Sequence, residues 1–200
     1  MPNSKPRSVA KERICTAALE HFVINTYEGA SLNNIAEMVG IRKASIYAHF
    51  KSKDELFKQL IEDALQVECA FVAESFNSNA TGDPGEFYCR ALKQRYIESI
   101  HLRFLIRTAY VPPVHLVDYI ATHYQNYIDC LTDYFIQSMQ KNTALLTEQT
   151  TLYGDAYIGV VDSLHVDLLY SGLDNFERKL EAMLFLLKNA IHSLSTSKQL

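Results

Sequence analysis

Glycine and proline are scarce in this chain, seven and five among 200 residues. Sustained apolar–polar alternation is absent as well, so the pattern reads as helical throughout. No run of about 18 apolar residues occurs, which excludes a transmembrane helix and a membrane partner. The N-terminal stretch MPNSKPRS is polar and lacks the apolar core of a signal peptide, so a cytoplasmic location is expected. The cysteines, at 15, 69, 89 and 130, form no CxxC pair and match no zinc spacing. They read as buried reduced thiols, with a redox-sensing thiol as the alternative. A nucleophile elbow, a phosphate loop and an HExxH motif are all missing, so neither an enzyme nor a cofactor is expected.

What is present is ample apolar content, 48%, and an uneven charge. Residues 1–60 hold nine Lys/Arg against six Asp/Glu, a net of +3, and residues 61–200 hold ten against seventeen, a net of −7. A basic N-terminal quarter suits a phosphate-facing surface, and the acidic remainder would be repelled by one.

Ser8 offers the start of a first helix running towards Tyr27, with Ile14, Ala17, Ala18 and Phe22 on one face and Gly29 as a left-handed cap. Ser31 offers the N-cap of a second helix, whose apolar face is Leu32, Ile35, Ala36 and Val39. Gly40 closes it in a tight turn, with Ile41 as an apolar pin. A short third helix is predicted over Lys43 to Phe50, with Ile46 and Phe50 inward. Ser52-Lys53-Asp54-Glu55 is a capping box that opens a fourth helix towards Phe76. Asn77–Gly85 is a loop. Further helices are predicted over 86–110, 114–140, 148–170 and 174–194, separated by Pro112-Pro113, by 141–147 and by Ser171-Gly172.

The stretch SLNNIAEMVGIRKASIYAHFKSKDELF, residues 31–57, is therefore a helix-turn-helix followed by a capped helix. Together with Phe22 and Glu28-Gly29 it resembles the TetR family of bacterial transcriptional regulators. The resemblance rests on Ile35-Ala36, Gly40-Ile41, Ser45-Ile46-Tyr47, His49-Phe50, Ser52-Lys53 and Leu56, and covers about residues 10–60. It implies an all-α protein of about nine helices: an N-terminal three-helix DNA-binding domain, 1–52, and a larger effector-binding and dimerisation domain, 53–200. It also implies a homodimer on double-stranded operator DNA. Arg42 departs from the Ser or Thr common at its position in the family, because Arg cannot accept an N-cap hydrogen bond.

Arg42 and Lys43 are the expected base readers, since Arg can hold guanine O6 and N7 bidentately. Ser45, Tyr47 and His49 suit phosphates or sugars, and Lys53 at its helix N-terminus suits a phosphate. Ser31 and Ala44 complete the expected DNA-facing set. Lys5 and Arg7 are placed to reach a minor groove as an arm.

Ten of the twelve tyrosines lie between 88 and 170. A buried hydroxyl needs a partner, so a ligand pocket is expected among Tyr88, Tyr96, His101, Tyr110, Tyr119, His123 and Tyr127. Glu98, Asp118, Asp129 and Asp133 would favour a cation there, and the effector expected is small and hydrophobic or cationic. The spacing of the histidines predicts no metal site. The last two helices carry a broad apolar stripe, and the resemblance places them at a four-helix dimer interface. Its expected residues are Tyr157, Val161 and Leu164 with Phe176, Leu180, Leu184 and Leu187. The whole reads as a ligand-responsive regulator, most simply a repressor released by its effector. The alternative is a DNA-binding architectural or protein-interaction module without an effector.

Overall fold

The computed structural model describes residues 7–78, 82–141, 147–171 and 173–196. Among them the expected all-α class holds, with no strand. The helices are α1 (Val9–Gly29), α2 (Leu32–Val39), α3 (Lys43–Tyr47), α4 (Lys53–Ser78), α5 (Glu86–Glu98), α6 (Ile100–Tyr110), α7 (Val117–Gln140), α8 (Thr147–Val166) and α9 (Leu173–Thr196). A 3-10 turn, Val114–Leu116, precedes α7, and a π-helical turn, Asp167–Ser171, follows α8.

Packing divides the chain into two compact units. The first holds the described residues up to Leu65 together with Ile100–His123, and the second holds Gln66–Ser99 with the described residues from Tyr124 onward. The first half of α4, all of α6 and the start of α7 thus pack with the first three helices. The expected division at 52/53 follows the motif along the chain, whereas these units follow contact.

The helix starts obey their capping residues. Ser8 Oγ accepts from the Lys11 N–H at 3.3 Å, and Ser31 Oγ from the Asn34 N–H at 3.2 Å. Gly40 is left-handed, φ +73°. Around it the Ile41 N–H donates to Ala36 O and the Gly40 N–H to Glu37 O, both at 3.0 Å. This pair is the Schellman motif, which satisfies carbonyls that a helix end leaves open. At the start of α4, Ser52 Oγ accepts from the Glu55 N–H at 3.1 Å. The Glu55 carboxylate returns to the Lys51 N–H at 2.5 Å, one residue earlier than a capping box requires.

Four expectations change. Gly29 is not a left-handed cap, because α1 ends at an extended Ala30 and breaks earlier, at Thr26 (φ 61°, ψ 177°). A β-branched residue there costs about 1–3 kcal/mol and persists only where surroundings hold it. They do: beyond the break, the Tyr27 ring packs edge-on against Phe57 at 5.0 Å and its carbonyl accepts from Lys53. Second, α3 stops at Tyr47, with Ala48 and His49 in a turn. Third, the helix expected over 86–110 is two helices, because Ser99 turns to an extended conformation and its hydroxyl donates to buried Glu68 at 2.6 Å. Fourth, the helix expected over 148–170 stops at Val166 and passes into the π-helical turn. Lys5, most of the 141–147 connection and Gly172 lie outside the described residues.

Candidate functional site

The first unit is held by an aromatic core. Phe57 lies 4.9 Å from Phe22 and 5.1 Å from Phe104, both edge-on. Ile14, Ile35, Ile46 and Leu56 are fully buried around it. The apolar spacing of α1 and α2 dictates this, since residues three and four apart share a face. All four expected α2 residues, Leu32, Ile35, Ala36 and Val39, are buried, as are Ile46 and Phe50; Ala17 is half-buried.

Polar side chains then fix the reading head. His21 is buried, and its Nε2 accepts from the Ser31 N–H at 3.3 Å, so α1 orients the start of α2. Arg13 Nη2 donates to Val39 O at 2.9 Å and so satisfies the end of α2. The Tyr27 hydroxyl donates to Asp54, and His115 Nε2 stands 3.3 Å from the same carboxylate. The Tyr27 bond holds the Asp54 carboxyl below its ordinary range, with His115 contributing less. Burial and the Asp54 bond push the Tyr27 hydroxyl up. These positioning residues were not legible in the sequence. No local pattern marks them, since each acts on a residue ten or more positions away.

The expected reading face is turned outward. Arg42, Lys43, Ala44, Ser45 and Tyr47 are exposed, Tyr47 by half its area, and His49 is half-buried. Arg42 makes no side-chain cap, so its guanidinium is not spent on α3. Ser31, by contrast, is engaged in its cap. Lys53 is engaged too. Its ammonium donates to Tyr27 O at 2.6 Å and Ala30 O at 3.0 Å, and lies 4.0 Å from the Tyr27 ring centre. It caps the end of α1, where a cation meets helix carbonyls favourably. Arg7, expected in a flexible arm, pairs with Asp63.

The expected pocket residues divide between the two units. His101, Tyr110, Tyr119 and His123 belong to the first unit, and Tyr88, Tyr96 and Tyr127 to the second. Tyr119 stacks on His123 at 3.8 Å under the Lys58 ammonium and donates to Glu62 at 3.1 Å. Glu98, Asp118, Asp129 and Asp133 are exposed, so they do not line an interior cationic site. The cost of taking a carboxylate out of water keeps them outward.

In the second unit the buried tyrosine hydroxyls find partners within the fold. The Tyr88 and Tyr127 hydroxyls are hydrogen-bonded, and Tyr157 donates to Gly85 O at 3.3 Å while stacking on Phe135 at 4.2 Å. The buried carboxylates are Glu68 and Asp167. Glu68 receives Arg95 through two bonds of 3.0 and 2.9 Å. Asp167 Oδ1 receives Lys179 at 2.9 Å, and its Oδ2 is buried without a partner. His165 is fully buried, 3.3 Å from the Tyr124 hydroxyl through Nδ1, with Nε2 unpartnered. Burial alone pulls its pKa from 6.5 to about 3, so the ring is neutral. No group of three or more metal-ligating side chains occurs among the described residues.

The expected dimer residues lie inside the fold of one chain. Tyr157, Val161, Leu164, Phe176, Leu180, Leu184 and Leu187 are all buried within the single chain. They form the inner faces of α8 and α9, because the most continuous apolar stripe goes to the unit's own core. The opposite faces expose Leu152 (66%) and Val166 (37%) on α8, and Phe185 (67%) and Leu186 (66%) on α9. Ala156, Gly159 and Ala182 lie exposed beside them.

Residues 14–60 match the family model of the bacterial regulatory proteins of the tetR family. Over 73 residues the chain is 29% identical to the biofilm operon icaADBC negative transcriptional regulator IcaR of Staphylococcus epidermidis, across 36% of this chain and 40% of that protein. Over 61 residues it is 38% identical to IcaR of Staphylococcus aureus, 30% of either chain. The matched region thus spans less than half the length of these curated relatives. Solved structures resemble it over most of its length. A transcriptional regulator from Aquifex aeolicus VF5 superposes with a TM-score of 0.65 at 20% identity, covering 90% of this chain and 99% of that one. The regulator FadR of Bacillus subtilis, in complex with stearoyl-CoA, superposes at 0.66 and 16% identity, covering 88% and 96%. At these identities the superpositions establish the fold. Over its helix-turn-helix region the chain is thus similar to the TetR family of bacterial regulatory proteins.

Proposed function

We propose that this chain is a dimeric DNA-binding transcriptional regulator of the cytoplasm, acting as a repressor whose grip on its operator responds to a small molecule. It performs no catalysis in this reading. The observation that carries the DNA-binding part is the outward face of α3 and its cap. Arg42, Lys43, Ser45 and Tyr47 stand exposed together on the short helix that follows the Gly40 turn. Arg42 and Lys43 read base edges, and Ser45, Tyr47 and half-buried His49 hold the backbone. Lys53 contributes a positive field near that face while fastening α1. The negative regulators among the relatives support repression.

Two heads on one dimer read half-sites about 34–36 Å apart, one turn of DNA. The α4 helix begins in the first unit and ends in the second, so a shift of its second half is carried covalently to the head. An effector that binds one head spacing better than the other shifts the population between them. The buried, unpartnered His165 Nε2 and Asp167 Oδ2 beside the π-helical turn favour an effector with polar groups as well as apolar surface. FadR, solved with stearoyl-CoA, makes acyl-CoA thioesters the first class to test. The reading without an effector is favoured by one observation, that the buried Tyr88, Tyr127 and Tyr157 hydroxyls all have partners within the fold. A thermal-shift series with acyl-CoAs of increasing chain length separates the two: a concentration-dependent rise in Tm supports the sensor.

The DNA reading is tested by selecting operators from random duplexes and titrating them by fluorescence anisotropy. Arg42→Ala and Lys43→Ala each weaken the selected site by about 1–3 kcal/mol and relax the preference for particular bases. If neither substitution changes affinity or preference, α3 is not the reading element.

A further inference from the structure

The structure assigns a second chemistry to the second unit: we propose that Cys69 and Cys130 form an oxidant-reactive dithiol, closing to an intramolecular disulfide with a peroxide as the oxidant class. Cys69 lies on α4 and Cys130 on α7, 61 residues apart in sequence. The Cys130 thiol donates to the Cys69 carbonyl oxygen at 3.9 Å, which brings the two cysteines together. Both are half-buried, open enough for a small oxidant. The other cysteines differ on each count. Cys15 and Cys89 are buried in separate units without a thiol neighbour, and burial pushes their pKa up, to about 11 and about 12. Only the pair therefore combines proximity with access.

The pair is also asymmetric, as such chemistry requires. The Cys69 S–H holds the Cys130 pKa below the ordinary thiol range, against burial and, to a lesser degree, Asp133. The same bond, with burial, pushes Cys69 up. Cys130 is thus the attacking sulfur and Cys69 the resolving one. The Cys130 thiolate attacks a peroxide oxygen, the O–O bond breaks, and the product alcohol or water takes up a proton. Cys130 becomes a sulfenic acid. The Cys69 sulfur then attacks it, the S–O bond breaks, the S–S bond forms and water leaves. Two thiols lose two electrons and the peroxide gains them. A soft metal is the competing occupant of a dithiol. It is disfavoured because no third ligating side chain joins the pair among the described residues.

This inference does not depend on the DNA-binding reading. The test treats the reduced full-length protein with hydrogen peroxide, blocks remaining thiols with N-ethylmaleimide, and maps peptides by mass spectrometry. The expected result is loss of two of the four free thiols. It appears as one Cys69–Cys130 cross-linked peptide that dithiothreitol abolishes. Cys69→Ser blocks the link but leaves Cys130 open to sulfenic acid, trapped by dimedone. Cys130→Ser slows the loss of thiol to peroxide by tenfold or more, while circular dichroism confirms that both variants are folded. Over-oxidised but unlinked cysteines, unchanged reactivity of Cys130→Ser, or cadmium held tightly enough to protect both thiols would each overturn the assignment.

Discussion

At the residue scale, the second unit tolerates polar groups that its sequence places inside. His165 lies one turn from Val161 on the inner face of α8, where burial leaves it one partner, the Tyr124 hydroxyl, and a stack on Tyr127. Its neutrality has a pH consequence. The folded pKa is depressed to about 3, whereas the unfolded ring titrates near 6.5. Below pH 6.5 the unfolded chain gains a proton that the folded chain refuses, so stability falls with pH until about 3. The slope from this group is about 1.4 kcal/mol per pH unit. Urea titrations should show His165→Gln losing about 2 kcal/mol less than the parent chain between about pH 7 and pH 5. Equal losses would mean that the ring is not buried as a neutral group. Glu68 shows the opposite solution, a charge kept inside because Arg95 and Ser99 satisfy it. Removing one partner of such a pair leaves an uncompensated charge, which is why it persists.

At the element scale, two glycines share a left-handed backbone and differ in what surrounds them. Gly40 has φ +73° and open space where a Cβ would stand. Gly85 has φ +74°, but a Cβ there would lie 2.3 Å from Cε2 of Tyr157. Gly40→Ala should therefore cost about 1 kcal/mol, the strain of the backbone alone. Gly85→Ala should cost about 2–3 kcal/mol more, because the buried ring must move. Chemical denaturation of the two variants checks the order, and equal losses would contradict the close approach. The contrast also measures legibility. Gly40 was readable as a helix stop because an apolar face ends beside it. The role of Gly85 was not, since Tyr157 lies 72 residues away. Ser99 is similar: periodicity ran through it unbroken, and only Glu68 from another helix breaks α5 from α6.

For the whole molecule, the outer faces of α8 and α9 are where the proposed dimer would form. A helix apolar on two sides buries the more continuous side first, against its own unit. Leu152, Val166, Phe185 and Leu186 are then left as an exposed patch, of the kind that marks an interface. Leu186→Glu should convert a dimer to a monomer by sedimentation velocity and weaken operator binding at least tenfold, with the fold intact. Leu180→Ala, on the inner side, should instead cost about 2–5 kcal/mol of stability. A Leu186→Glu protein that stays dimeric would move the interface elsewhere.

The sequence by itself determined the helical class, the caps at Ser8, Ser31 and Ser52, the Gly40 turn and the exposed face of α3. These depend on neighbours within about four residues, where periodicity and capping chemistry act. Tertiary structure alone decided which side of α8 and α9 is interior, that Lys53 fastens the end of α1, and that the tyrosines divide between two units. It also brought Cys69 to Cys130. Each of these depends on residues far apart in the chain, and no local pattern records which distant side chain will arrive to satisfy a buried group.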